Sequence, residues 1–215
     1  MNVDSPFQPV RRRAALLLVL ALTATGCVNL GPGTPPRAPT YVLDSTVPPT
    51  RLEASGIAVG LGPVAIPAYL DRNEMVSREA ANQLRVDVRH SWGAPLDQEI
   101  QRVLGENLSR LLASERVIVW PWSRHREISM RIPVQVLKFE PIAGKGVVLV
   151  ARWELLSPDA TQVLLSRQSE IVEPIPEAGP GSYAAGMSRA LAVLAGQIAE
   201  SVRATPQVPP AAAAR

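Results

Sequence analysis

The sequence predicts a single α/β (α+β) domain, a mixed and mostly antiparallel sheet with two main helices packed on it. Three observations predict it. Apolar residues recur at helical spacing over 96–112 and again over 182–202. Several shorter runs alternate apolar and polar residues at the period of a strand. Turn signals built on Gly, Pro and Asp separate neighbouring runs, which favours hairpins and therefore antiparallel pairing.

The chain opens on a segment that is not part of this fold. Arg11, Arg12 and Arg13 precede an almost wholly apolar run, Ala14 to Ala24, and the small residues Ala24, Thr25 and Gly26 lead into Cys27. A basic flank, an apolar centre and a small-residue junction are the three parts of a bacterial export signal. As a helix the run would span about 16 Å, against about 30 Å for a bilayer core, so it is too short for a comfortable permanent span. Cys27 is the only cysteine in 215 residues. Thr23-Ala24-Thr25-Gly26-Cys27 resembles a lipoprotein signal, which implies acylation of the Cys27 thiol and cleavage just before it. With one cysteine no disulfide can form within a chain, so the fold must hold by its core. Val28 follows the cysteine where an inner-membrane retention Asp would stand in such lipoproteins, and this resemblance favours an outer-membrane anchor.

The expected organisation is a signal peptide over 1–26, a lipidated cysteine and flexible tether over 27–40, one domain over 41–203 and a disordered tail over 204–215. Loss of 1–26 removes three of the 22 basic and one of the 19 acidic residues, leaving a net charge of +1. That balance offers no basic stripe for nucleic acid, and none is expected as a partner. Four prolines and two glycines between Val28 and Thr40 mark the tether.

Within the domain, Tyr41 to Leu43 and Ile57 to Leu61 read as short strands. Pro63 and Pro67 should end the second or hold it at an edge. Glu74 to Ser77 and Gln83 to Val88 read as two strands with a turn over Glu79 to Asn82. The first helix carries Leu96, Ile100, Val103, Leu104, Leu108, Leu111 and Leu112 on one face. Gln98, Glu99, Gln101, Arg102, Glu106 and Ser109 form the opposite, polar face. Val117 to Trp120 is a strand stopped by Pro121. Ile128 to Val136 alternates as a half-buried strand. Pro133 argues there for an edge or a bulge, and the phase slip at Leu137 and Phe139 for a bulge. Ala143-Gly144-Lys145-Gly146 turns the chain into Val147 to Leu155, and Pro158 to Thr161 turns it again into Val163 to Val172. These three strands form an antiparallel meander. Ser182 is placed to cap the last helix, and Pro206 ends it.

No motif of catalytic chemistry emerges. His90 and His125 stand in no metal-ligand spacing, no phosphate loop or Gly-x-Ser-x-Gly elbow occurs, and the scattered acids form no pair. The four tryptophans read as core or rim packing. The reading is a non-enzymatic protein with no cofactor or metal.

The run Leu61-Gly62-Pro63-Val64-Ala65-Ile66-Pro67-Ala68-Tyr69-Leu70-Asp71-Arg72 resembles the opening of the ABC-type transport auxiliary lipoproteins, the PqiC- or YmbA-like family. So do Trp92-Gly93-Ala94-Pro95-Leu96 before a helix with Glu106-Asn107-Leu108, Phe139-Glu140, Val147 to Trp153, and a Tyr-Ala-Ala helix near the C-terminus. The likeness runs from about Tyr41 to Val202. It implies a periplasmic domain tied to the outer membrane and working with an MCE-type protein and ABC transporter components. It implies movement of lipid or another apolar solute between membranes, with self-association into a homo-oligomer. The alternatives are a structural lipoprotein assisting outer-membrane assembly and, less favoured, an envelope hydrolase. Tyr69, Leu70, Asp71 and Arg72 form the candidate partner surface, an apolar pair beside two charges on a loop. The competing reading, that Tyr69 and Leu70 only cap the core, stays open on the sequence alone.

Overall fold

The structure, a computed structural model, describes residues 38–53, 57–122 and 128–206. The signal, Cys27, His125 and most of the tether and tail lie outside the described residues.

The elements in chain order are Thr40–Tyr41 (β1), Val59–Ala65 (β2), Glu74–Ala80 (β3), Gln83–Trp92 (β4), Leu96–Leu112 (α1), Val117–Val119 (β5), Met130–Ile142 (β6), Gly146–Leu156 (β7), Val163–Glu173 (β8) and Pro180–Ala204 (α2). The eight strands form one sheet organised on β6. This 13-residue strand takes β2 along Met130 to Gln135, β3 at Ile142, and β7 on its other edge. Beyond these lie β5 on β2, β4 and then β1 on β3, and β8 on β7. The helices pack against each other and on the sheet, α1 over β2 and β5 and α2 over β7 and β8.

The expectation of a mostly antiparallel sheet is corrected here. The pairs β1–β4, β2–β5, β2–β6 and β3–β6 are parallel, while β3–β4, β6–β7 and β7–β8 are antiparallel, so by pairing the mixed sheet is mostly parallel. The three antiparallel pairs are hairpins, and each has a local turn signal. Parallel partners are joined by long crossovers, three of which contain α1, and a crossover leaves no local signature.

The core explains why these runs take these forms. On β7 the predicted face, Val147, Leu149, Ala151, Trp153 and Leu155, is at most 1% exposed. Burying a large apolar side chain of this kind contributes roughly 1.5–3 kcal/mol. The Trp153 indole N–H donates to Ser169 Oγ at 3.0 Å, and that hydroxyl donates to Gln197 Oε1 of α2 at 2.5 Å. The predicted bulge is present, because the β6–β7 register shifts between Val136 and Lys138. The slip buries Phe139, Glu140 and Pro141 in succession.

Several local expectations change. β2 runs through Pro63 and lies between β5 and β6, with the irregularity absorbed between Leu61 and Val64 opposite Pro133. Both prolines thus share one break in an interior ladder: Pro63 marks no edge, while at Pro133 it is the bulge, the second of the two expected alternatives, that is found. α2 begins at Pro180, earlier than Ser182. Proline suits the first helical position, where its missing N–H costs nothing. α1 has the predicted bounds, but Glu99 leaves the predicted polar face. It is 6% exposed, and its Oε2 accepts the Leu43 N–H at 3.0 Å and Arg102 Nη2 at 2.9 Å. Arg102 also donates to the Leu43 carbonyl at 2.6 Å. This clamp fixes the segment after β1 onto α1, a long-range contact with no periodic trace in the sequence.

Candidate partner-docking site

The site is the turn between β2 and β3. Pro67 accepts the Leu70 N–H at 2.9 Å, Ala68 accepts that of Asp71 at 3.3 Å, and Leu70 accepts that of Arg72 at 2.9 Å. Proline at the start pre-sets the backbone for such a bend. The turn separates the four predicted residues into two pairs. Leu70 is 3% exposed and belongs to the core, and Tyr69 is half-buried. Asp71 and Arg72 are exposed. Arg72 Nε lies 4.0 Å from Glu74 Oε2, and both side chains are about two-fifths exposed, so this pair contributes little.

Tyr69 is the foot of the turn. Its phenol donates to Glu140 Oε2 at 2.7 Å. Glu140 is fully buried, yet its lone pairs are used. Oε2 also accepts the Phe139 N–H at 2.9 Å, and Oε1 accepts Arg78 Nε at 2.7 Å. Arg78 donates further to the Ala81 carbonyl at 3.0 Å, and its guanidinium lies 5.9 Å from the Tyr69 ring centre. A buried carboxylate needs this full set of partners to be tolerated. Burial, and then the bond to Glu140, push the Tyr69 phenol well above its ordinary value. The bond to Glu140 likewise raises Arg78 against the opposing effect of desolvation. Tyr69 therefore stays protonated at neutral pH and acts as a structural donor.

Glu140 and Arg78 escaped the sequence reading as parts of this site. A Glu just after the phase slip of β6 was the visible trace of the first. Nothing local pairs it with Arg78, because the register that joins Arg78 to Ile142 is a parallel, long-range one. Arg78 continues from the foot into a cleft of about 600 Å³ lined also by Arg85, Lys145, Ile175 and Tyr183. His90 Nδ1 lies 2.8 Å from Asp87 Oδ2, on β4 and outside this turn.

A family model of the ABC-type transport auxiliary lipoprotein component matches residues 41–199, nearly the whole described domain. The chain belongs to this family. Membership makes it a lipoprotein of a kind that carries a membrane lipid anchor and serves ABC-type transport as an auxiliary component, in a family generally without enzymatic activity. Solved structures show the same fold. One, of an uncharacterized protein, is 20% identical with a TM-score of 0.61 and covers 75% of this chain and 99% of its own. Protein XCC0632 from Xanthomonas campestris is 16% identical with a TM-score of 0.57, covering 77% and 91%. The PelC dodecamer from Paraburkholderia phytofirmans is 13% identical with a TM-score of 0.39, covering 66% of this chain and 89% of its own, a likeness too loose to bear on assembly here. No curated protein gives a significant match.

Proposed function

We propose that this lipoprotein is the docking component of an MCE/ABC-type transport system that moves lipid or another apolar solute between membranes. It has no enzymatic role. It is anchored through acylated Cys27 in the outer membrane, with its domain on the periplasmic side and 28–40 as the tether. It holds an MCE-type partner through Asp71 and Arg72, and it works as a homo-oligomer.

The observation that carries this reading is the geometry of the β2–β3 turn. Two adjacent, oppositely charged side chains stand outward on a bend whose foot is bonded to a buried carboxylate. A charged pair on a turn whose backbone is held supports partner recognition because little backbone freedom is left to lose on binding. Family membership supports the transport context.

Asp71→Arg and Arg72→Glu test the surface, since neither residue belongs to the core. Each is expected to weaken capture of the MCE-type partner by the full chain by tenfold or more, with an unfolding midpoint equal to that of the parent. Undiminished capture by both would reject this surface.

A further inference from the structure

β4 leaves a long edge open. On one side it pairs with β3, while on the other β1 reaches only Ser91 and Trp92. Among the described residues nothing pairs with the outer edge over 83–89. Three apolar side chains are exposed along it, Leu84 at 36%, Val86 at 36% and Val88 at 82%. A free strand edge with apolar residues is a template for another strand.

The order of residues on this edge says which strand fits. Leu84-Arg85-Val86-Asp87-Val88 is complementary to itself when run antiparallel about Val86. Val86 then faces Val86, Leu84 faces Val88, and each Arg85 faces the other copy's Asp87. Moving the centre by one residue, to Arg85 or to Asp87, sets like charges opposite one another, so charge disfavours both neighbouring registers. The ladder to β3 is regular over Leu84 to Asp87, which keeps these four residues in strand geometry, and Val88 opens the register shift that ends at Ser91. The charges also retain capacity for a second partner. Arg85 meets Glu79 at 3.3 Å but stays 60% exposed. Asp87 accepts the Arg89 N–H and contacts His90, and a carboxylate has about four acceptor positions.

We propose that the β4 edge is a two-fold interface at which a second copy of this chain adds its own β4, antiparallel and centred on Val86. The contact is isologous, each copy presenting the same patch. It rests on the self-association part of the proposed function and gives that association a surface.

The test uses the full chain in mild detergent, followed by analytical ultracentrifugation. The unmodified chain is expected to dimerise. Arg85→Asp and Asp87→Arg should each weaken the dimer by tenfold or more, and the two together should restore it, since the pairs re-form with signs exchanged. Val86→Cys under oxidation should give a disulfide-linked dimer that the parent, whose one cysteine is the acylated Cys27, does not give, because Val86 meets its own copy at the axis. A monomeric parent chain would remove self-association and this edge together. Association that ignores the single charge changes, a double variant no better than the singles, or no added cross-link from Val86→Cys would remove the edge alone.

Discussion

Tyr69 links the fold to the proposed docking turn through one hydrogen bond. Tyr69→Phe deletes only the hydroxyl and leaves the buried Glu140 with one donor fewer. The expected loss is about 2 kcal/mol, the range for a hydrogen bond to a charged group. Glu140→Ala should cost more, about 3–5 kcal/mol, because it strips Arg78 of its buried partner. The phenol adds a pH signature. The folded protein holds the Tyr69 proton more tightly than the unfolded chain does, so the raised value contributes stability that is complete below the ordinary value of 10.0 and fades as the pH climbs above it. Urea unfolding from pH 8 to 11 should show the parent's advantage over Tyr69→Phe narrowing above pH 10; a gap that stays constant would mean that the phenol's ionisation is not linked to folding. This foot was only half legible in the sequence. Tyr69 stood out as an aromatic on a loop, and family resemblance drew the eye to it. Its true neighbour, Glu140, lies 71 residues away across a parallel register that no local pattern encodes.

At the scale of elements, α1 shows where sequence and structure agree and where they part. Its bounds follow from apolar periodicity, which is a local property. Its end is less obvious. Ala113 takes the left-handed conformation at φ 50°, and the Ala113 and Ser114 N–H groups return to Arg110 and Ser109. That stop is normally built on glycine, because a Cβ is strained there. Ala113→Gly is therefore expected to raise stability by about 0.5–1 kcal/mol, read as a higher urea midpoint with an unchanged slope. No gain would place the strain elsewhere. Hairpins were legible for the same reason that the helix was: Ala143 to Gly146 and Pro158 to Thr161 act over a few residues. The parallel partners of β2 and the seat of Glu99 under Leu43 depend on contacts between distant segments, and periodicity is silent about those.

For the whole molecule, one folded unit carries a pinned charged turn at one place and an open strand edge at another. The first suits a partner held at a defined orientation and the second suits a further copy of the chain. Neither needs a reactive group, in keeping with a family of auxiliary transport lipoproteins. The most direct test of the docking role is co-isolation from detergent-solubilised envelopes after brief cross-linking, with the full-length chain as bait and bound proteins identified by mass spectrometry. An MCE-type protein, with ABC transporter components alongside it, is expected with the parent chain and is expected to be depleted with Arg72→Glu. Recovery of the bait with no MCE or ABC component would contradict the account.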